Sequence, residues 1–213
     1  MLQSLNIADV HVFSHDYGDT VAQDKKHFIK LNNNKCYTTS EGNEKIHLNS
    51  VSMMNGGIFP GLYKPLMMQT LLRLPIIGTI LGKMSNYYLF KINMINIFGA
   101  ETFPTFAELY DMWAVIRYKD GYRIMGEVLF YMDERHTNEH RWIEALKQSK
   151  IKLHFIYGEL DPINPPPFAD YYKKIIPNPT IDVIKNCGHY PHLELPEVTF
   201  SLYLKFFNTL VIT

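Results

Sequence analysis

Three side chains whose types can together hydrolyse a covalent bond lie far apart in the chain: Asp16, Asp161 and His189. Asp16 is the central residue of Ser14–Gly18 (SHDYG), which has a small residue at each end. A sharp turn from a strand into a helix strains its central residue and leaves room only for small neighbours. The spacing therefore predicts that Asp16 is displayed above a sheet, at a helix N-terminus that favours its negative charge.

The chemistry of an aspartate at this position differs from that of a serine. Serine must lose a proton to a base as it attacks, whereas an aspartate carboxylate is already ionised at neutral pH. A carboxylate is a weak nucleophile, so Asp16 suits an activated carbon, such as that of an epoxide or an alkyl halide. Attack would leave an ester on Asp16. His189, oriented by Asp161, would then activate the water that hydrolyses this ester.

Other interpretations of these residues stay open. Asp16 could simply cap the helix that follows it, since aspartate is a good N-cap residue. Asp161 precedes a proline and could be an ordinary turn residue. His192 competes with His189 for the role of base, and we favour His189 because it directly follows a glycine at the head of its loop.

The segments that precede the three residues have the composition of strands. Val10–Ser14 is short, apolar and β-branched, which is typical of a strand buried in a parallel sheet. The other predicted strands are Lys45–Met54, Lys152–Tyr157 and Thr180–Ile184. Helical patterns are found at residues 20–31, 168–175 and 196–211. This alternation predicts an α/β fold whose parallel sheet brings the three residues to one edge.

A region with helical signals only interrupts the alternation at residues 61–148. Thr105 to Glu108 form a capping box, and the helix that follows is predicted to end at Asp120-Gly121. Further helices are predicted over Ile124–Met132 and Asn138–Gln148. Such an insertion is how a lid is built, although it could simply complete the core. We therefore predict residues 1–60 as a first core part, 61–148 as a helical cap and 149–213 as a second core part.

The composition restricts the partners that we expect. Lys and Arg total 21 and Asp and Glu total 21, so the formal net charge is zero and nucleic acid is not expected. Cys36 and Cys187 form no disulfide framework and lack metal-ligand spacing. His11, His15 and Asp16 could begin a metal site but have no further ligands at matching spacing. We therefore predict neither a metal nor another cofactor.

The chain gives no clear signal for a membrane span. Its N-terminus lacks the basic stretch and apolar core of a signal peptide. The most apolar region, Pro65–Gly82, is interrupted by Arg73, Pro75 and Gly78, whereas a spanning helix needs about 20 mainly apolar residues. We expect this region to pack inside the protein or to lie at a membrane surface.

Several segments resemble the epoxide hydrolase and haloalkane dehalogenase branch of the α/β-hydrolases. They are FSHDYGDTVAQ, NGGIFP, ELYDMWAVIR, RWIEAL, HFIYGELDPINP and GHYPHLELP, and they extend over nearly the whole chain. The resemblance implies an α/β-hydrolase fold with an inserted helical cap, with Asp16 as nucleophile, Asp161 as acid and His189 as base. It implies hydrolysis of a small apolar or lipid-derived substrate through an aspartyl ester. It also implies association with the endoplasmic reticulum membrane, with the cytoplasm as the alternative location.

Two departures from the family pattern concern aromatic residues. Dehalogenases place a tryptophan after the nucleophile to bind halide, and Tyr17 stands there instead, which favours epoxide hydrolysis. Epoxide hydrolases protonate the opening oxide with two cap tyrosines. The candidates here are Tyr87, Tyr88, Tyr110, Tyr118, Tyr122 and Tyr131. We select Tyr110, with Trp113 on the same helix face, as substrate-binding residues, although plain core packing is the favoured alternative.

The third departure lies at the N-terminus. In the family, about four strands and an oxyanion-hole motif of the His-Gly type precede the nucleophile, whereas this chain begins just before the nucleophile strand. The backbone N–H of Tyr17 can supply one oxyanion donor, but the other is missing, and one such donor is worth about 2.7–4 kcal/mol. We therefore expect a truncated chain with an unpaired sheet edge. The alternative function is that of a catalytically impaired homologue that binds a lipid or a partner protein.

Overall fold

A computed structural model describes residues 5–23, 36–38 and 45–211, and it contains one five-stranded sheet. The strands are β1 (Asp9–His15), β2 (Cys36–Thr38), β3 (Lys45–Met54), β4 (Lys152–Gly158) and β5 (Ile181–Ile184). β1, β3, β4 and β5 are parallel and adjacent in that order. These four predicted strands are confirmed, with ends within about one residue of the prediction. β2, which pairs antiparallel with the start of β3, was not predicted.

The central strands β3 and β4 hold the core. Val51, Met53 and Phe155 are fully buried, as expected of strands covered on both faces. The ring of Phe155 stacks against Tyr172 from a following helix, with 5.0 Å between the ring centroids. β1 lies at the end of the sheet, and in the described part of the chain its only neighbouring strand is β3. The predicted unpaired edge is therefore present among these residues.

Ten α-helices are described. They are α1 (Tyr17–Gln23), α2 (Met67–Leu72), α3 (Pro75–Met84), α4 (Tyr87–Ile95), α5 (Phe106–Arg117), α6 (Met125–Val128), α7 (Tyr131–Lys147), α8 (Pro167–Ile175), α9 (Pro191–Glu194) and α10 (Pro196–Val211). Helices α2 to α7 all lie between β3 and β4 in the sequence, and we call them the cap. The predicted helix at residues 20–31 is described only as far as Gln23, and the rest lies outside the described residues.

The start of α5 follows the predicted capping box. The hydroxyl of Thr105 accepts a hydrogen bond from the Glu108 N–H at 3.2 Å, and the Glu108 carboxylate accepts one from the Thr105 N–H at 2.7 Å. The helix ends earlier than predicted, at Arg117. Lys119 and Asp120 have positive φ angles of 48° and 59°, which breaks the helix before the predicted stop.

The cap helices before β4 also differ from the prediction. The predicted helix Ile124–Met132 is divided, because α6 ends at Val128 and α7 begins at Tyr131. α7 then continues through the predicted start at Asn138. Packing extends along the whole helix, because its buried residues are spread from its first turn to its last. They are Tyr131, Met132, Arg135, Trp142, Ala145 and Leu146. This packing outweighs the local signal for a new N-terminus at Asn138.

The apolar region at residues 65–82 is divided between α2 and α3. Leu72 of α2 is buried, whereas Ile76 and Met84 of α3 are largely exposed. In the part of the chain that the structure describes, none of the helices has the length and hydropathy needed to cross a bilayer.

Candidate active site

Asp16 occupies the predicted turn between β1 and α1. Its φ angle is 46°, in the left-handed region where a residue with a side chain is strained. Two backbone hydrogen bonds hold the turn: the Asp16 N–H donates to the Met54 carbonyl, and the Asp19 N–H donates to the Asp16 carbonyl, each at 3.1 Å. The sheet and the following helix therefore fix the position of the Asp16 carboxylate.

The structure brings the three predicted catalytic residues together. Asp16 follows β1, Asp161 follows β4 and His189 follows β5, so all three lie at the carboxyl edge of the sheet. His189 Nδ1 donates to Asp161 Oδ2 at 2.9 Å, and His189 Nε2 lies 3.9 Å from Asp16 Oδ1. His192, the alternative base, packs its ring against His15 at 4.6 Å. The geometry therefore favours His189 as the base.

Asp161 is buried and accepts several hydrogen bonds besides that of His189. Its carboxylate accepts from the side-chain amides of Asn55 at 2.8 Å and Asn164 at 3.0 Å, and from the Ile163 N–H at 2.8 Å. Burial by itself would raise the pKa of Asp161, but the His189 charge and these hydrogen bonds lower it overall. Burial by itself would lower the pKa of His189, and the Asp161 carboxylate raises it overall.

Two further groups fix the loop that carries His189. The carboxylate of Glu194 accepts hydrogen bonds from the N–H groups of Gly188 at 2.7 Å and Tyr190 at 2.9 Å. His15 Nε2 donates to the His189 carbonyl at 2.7 Å. Burial and the nearby charge of His189 lower the pKa of His15 to about 4, so His15 is neutral at physiological pH. These hydrogen bonds fix the backbone on both sides of His189, and the fixed backbone sets the position of the imidazole.

A buried arginine contacts the predicted nucleophile. Arg135 of α7 is 1% exposed, and its Nη2 donates to Asp16 Oδ1 at 3.4 Å and to the Asp16 carbonyl at 3.3 Å. Its Nε donates to the Thr20 hydroxyl at 2.8 Å. The guanidinium also lies over the rings of Tyr131, at 4.4 Å, and Tyr63, at 5.5 Å. Of these contacts, Asp16 is the predicted nucleophile and Tyr131 is one of the candidate cap tyrosines, whereas Thr20 and Tyr63 were not predicted.

A second carboxyl group lies beneath the turn. Asp19 is fully buried, and its Oδ1 accepts a hydrogen bond from the Ser14 hydroxyl at 2.5 Å. Burial, together with the negative charge of Asp16, raises the pKa of Asp19 well above its ordinary value. Asp19 is therefore harder to ionise than an ordinary aspartate, and the carboxylate that faces Arg135 is that of Asp16.

Asp16 and His189 lie in the wall of a cavity of about 470 Å³, a volume typical of small-molecule sites. The cap supplies most of the other lining residues, and most of them are apolar. They are Leu66, Met68, Gln69, Leu72, Phe90, Asn93, Met94, Ile97, Val115, Ile116, Gly121, Ile124, Met125, Val128 and Leu129, with Ile163 and Tyr190 from the core. The arrangement places the Asp16 carboxylate and the His189 imidazole against a space suited to an apolar molecule.

The structure does not bring the predicted substrate-binding residues to this cavity. Tyr110 is 62% exposed, and Trp113 lines an adjoining cavity of about 100 Å³, which shares wall residues such as Phe90 and Met125 with the main cavity. Val115 and Ile116, further along α5, line the main cavity instead, so a different part of the helix faces it. Tyr17 stands at the first position of α1, and its ring packs against Tyr131 at 4.8 Å. The role of its backbone N–H as an oxyanion donor stays a prediction.

Sequence reasoning missed four residues of the site: Asn55, Glu194, Tyr63 and Arg135. Asn55 could have been found, because it follows β3 in the same way that Asp16 follows β1. Glu194 lies close to His189 in the sequence but has no distinguishing pattern. Nothing in the sequence marks Tyr63 or Arg135, because only the packing of the cap on α1 brings Arg135 to Asp16.

Another serine, histidine and aspartate lie in line within the sheet, but they are not accessible. Ser52 Oγ lies 3.2 Å from His154 Nδ1, and His154 Nε2 lies 3.0 Å from Asp182 Oδ2. Ser52 and His154 are fully buried, so no substrate can reach the hydroxyl. Over residues 5–23, 36–38 and 45–211, no group of three or more His, Cys, Asp or Glu side chains is placed to hold a metal ion.

The parallel sheet, the strained turn after β1 and the helices inserted before β4 define an α/β-hydrolase fold. Solved structures with this arrangement include 2-hydroxy-6-oxo-6-phenylhexa-2,4-dienoate hydrolase from Rhodococcus sp. strain RHA1, with a TM-score of 0.68 and 15% identity over 97% of this chain and 66% of that one. The epoxide hydrolase CorEH has a TM-score of 0.65 and 16% identity over 98% of this chain and 71% of that one. These similarities show the fold.

Sequence comparison gives a narrower relationship. The chain is 38% identical to the mesoderm-specific transcript protein of Mus musculus over 203 residues, which is 94% of this chain and 58% of the relative. The chain is therefore homologous to the mesoderm-specific transcript proteins, and it spans about 58% of the length of this relative. No protein-family model matches the chain.

Proposed function

We propose that the chain carries the catalytic residues of a hydrolase that acts on a small apolar or lipid-derived substrate, in particular an epoxide, through an ester on Asp16. The observation that carries the proposal is the position of Asp16, strained at φ 46° and 3.9 Å from His189 Nε2, in the wall of a mostly apolar cavity. The hydrolase fold and the epoxide hydrolase among its structural neighbours support this class of reaction.

In the proposed first step, an oxygen of the Asp16 carboxylate attacks an epoxide carbon, and the carbon–oxygen bond of the ring breaks. The electron pair of that bond goes to the epoxide oxygen, which takes up a proton. Tyr63 and Tyr131, which lie against Arg135 beside Asp16, are the proposed proton donors. Burial and the negative charge of Asp16 raise the pKa of both hydroxyls, so both remain protonated at neutral pH.

In the proposed second step, His189 Nε2 removes a proton from water, and the water oxygen attacks the carbonyl carbon of the Asp16 ester. The intermediate collapses as its bond to the leaving oxygen breaks, that oxygen takes the proton of the new Asp16 carboxyl group, and the diol leaves with the carboxylate restored. The proton held by His189 then returns to the tyrosinate that the first step left. Asp161 stabilises the imidazolium of His189 and holds Nδ1 as the donor. Neutral His189 is the active form in this step.

The test is replacement of the nucleophile, with styrene oxide as the probe. We expect the unaltered chain to form diol and to carry a covalent adduct on Asp16 after rapid quenching and peptide mass spectrometry. Asp16→Asn should form neither, whereas the matched control Asp170→Asn, on the exposed face of α8, should behave as the unaltered chain. Equal diol formation by Asp16→Asn would refute the proposal.

The second candidate function is binding of an apolar ligand without turnover. It is favoured by the lining of the cavity and by Arg135, which offsets the charge of Asp16 and weakens it as a nucleophile. A chain with this function would bind a fluorescent fatty acid in the cavity and yield no diol and no adduct from styrene oxide. Detection of the adduct on Asp16 would exclude this candidate.

We also propose that the cap associates with a membrane surface, with the endoplasmic reticulum as the expected location. α3 exposes a row of apolar side chains, namely Ile76, Ile77, Ile80 and Met84. Exposed apolar residues on one helix are suited to the interface between lipid headgroups and acyl chains.

A further inference from the structure

We infer that Arg135 acts on the second chemical step, where it stabilises the negative charge that develops on Asp16 Oδ1 when water attacks the ester. The inference rests on the proposed aspartyl-ester mechanism, and it assigns a second oxyanion donor beside the backbone N–H of Tyr17, which is the predicted first donor. It concerns a residue of the cap rather than of the sheet.

Arg135 contacts Asp16 at two of its oxygens and is held in place by three other residues. Its Nη2 reaches both Oδ1 and the backbone carbonyl of Asp16, at 3.4 and 3.3 Å. The bond from Nε to Thr20 fixes the plane of the guanidinium, and the rings of Tyr131 and Tyr63 cover it. Such a fixed group needs no rearrangement when charge appears beside it.

The charge on Asp16 changes during the proposed cycle, whereas the charge on Arg135 does not. The free carboxylate is negative and pairs with Arg135. Formation of the ester through Oδ2 removes that negative charge and leaves a buried cation without its partner, which is unfavourable. Attack of water on the ester carbon moves the electron pair of the carbonyl bond onto Oδ1, and the proton of water goes to His189. The ion pair with Arg135 is then restored.

Arg135 therefore stabilises the tetrahedral intermediate relative to the ester, and stabilises the free carboxylate relative to its alkylated form. Only interactions that are stronger in a transition state than in the preceding state accelerate a step. Arg135 should accelerate hydrolysis of the ester and should not accelerate formation of the ester. A residue that only supported the fold would affect both steps together.

The position of the guanidinium also depends on Gly57. A Cβ atom at Gly57 would lie 2.4 Å from Arg135 Nη1 and 2.8 Å from its Cζ. In the described part of the chain Nη1 is buried without a hydrogen-bond partner. Gly57→Ala would therefore displace the guanidinium while the charge stays in the chain, which provides a second variant independent of Arg135→Gln.

The experiment measures both steps separately with the 213-residue chain and styrene oxide. Rapid quenching followed by intact mass spectrometry gives the rate of adduct formation and the rate of adduct loss. For Arg135→Gln and Gly57→Ala we expect adduct formation within about threefold of the unaltered rate, and adduct loss slower by about 10²–10³-fold, as found for other oxyanion donors. The adduct should therefore accumulate.

Two controls separate this role from a structural one. Arg73→Gln removes an arginine that pairs with Asp133 within the cap, and it should change neither rate. Arg135→Lys keeps a positive charge without the planar fork and should recover part of the rate of adduct loss. Circular dichroism of each variant checks folding. If Arg135→Gln does not fold, Gly57→Ala and Arg135→Lys carry the test.

The outcomes are distinct. Accumulation of the adduct in the variants supports the role of Arg135. Equal loss of both rates in folded variants, or no change in either rate, overturns it while the aspartyl-ester mechanism stands. Absence of any adduct in the unaltered chain overturns the proposed function, and the role of Arg135 with it.

Discussion

The sheet edge and the cap contribute to the same cavity but hold their side chains in different ways. At the sheet edge, Asp161, His189 and Asn55 are buried and fixed by several hydrogen bonds each. In the cap, lining residues such as Val115 and Val128 are more than half exposed and make apolar contacts without fixed direction. The reactive groups are therefore held rigidly, whereas the wall that would contact the substrate can change at little cost.

The largest effect is expected from the acid of the sheet edge. Asp161→Asn should lower kcat on styrene oxide by about 10³–10⁴-fold, because Asn no longer holds His189 in the required tautomer. The Asp161 carboxylate raises the pKa of His189, and neutral His189 is the base, so unaltered activity should rise as pH increases through that raised pKa. In the variant, the pKa of His189 is lower, so the increase of residual activity with pH should begin at a lower pH. A pH–rate profile measures this shift.

The pair formed by Asp161 and His189 gives stability the opposite pH dependence from activity. Because the pKa of folded His189 lies above 6.5, the stabilisation from its ion pair is complete below about pH 6.5 and is lost as pH rises through the folded value. Urea unfolding at several pH values should show this dependence in the unaltered chain and not in Asp161→Asn. A pH profile of stability that is identical in both would contradict the ion pair.

A smaller effect is expected at Asn55, which tests whether the sheet edge is rigid because of its polar network. Its side chain donates to Asp161 at 2.8 Å and accepts from the Gly158 N–H at 2.8 Å, within a fully buried environment. Asn55→Ala leaves these partners unsatisfied and should lower the free energy of unfolding by about 2–4 kcal/mol. Urea unfolding measures this loss, and a change under about 0.5 kcal/mol would show that the network contributes little.

A change in the cap should alter binding rather than chemistry. Val128→Trp adds bulk to the cavity wall and should raise KM for styrene oxide about 10-fold with kcat within about threefold. Val198→Trp, on α10 away from the cavity, is the matched control and should leave KM unchanged. A fall in kcat without a change in KM would mean that the cap positions the reacting groups as well as the substrate.

The smallest effect on folding is expected on the outer surface of the cap. Ile76 is 77% exposed, so Ile76→Glu should change the free energy of unfolding by less than about 0.5 kcal/mol. If α3 lies on a membrane surface, the same variant should float less with liposomes than the unaltered chain. Phe200→Glu, on exposed α10, should float as the unaltered chain does. Equal flotation of all three proteins would argue against a role of α3.

Much of the sheet edge could be predicted because its residues follow strands. Short apolar segments predict buried parallel strands, and the ends of parallel strands meet, so Asp16, Asp161 and His189 could be placed together without knowledge of the cap. Asn55 directly follows β3, so it could have been placed at the same edge for the same reason. The cap could not be predicted in this way: Tyr110 and Trp113 share a helix face, but which part of that helix faces the cavity depends on how the helices pack.

The sequence by itself determined the order of the strands along the chain, the tight turn at Asp16 and the pair formed by Asp161 and His189, because local composition and chain order decide these features. Only the tertiary structure decided that Arg135 contacts Asp16, that Gly57 leaves room for it, and which apolar side chains line the cavity. Contacts between distant helices depend on complementary packing across the whole insertion, and no local pattern of residues encodes that packing.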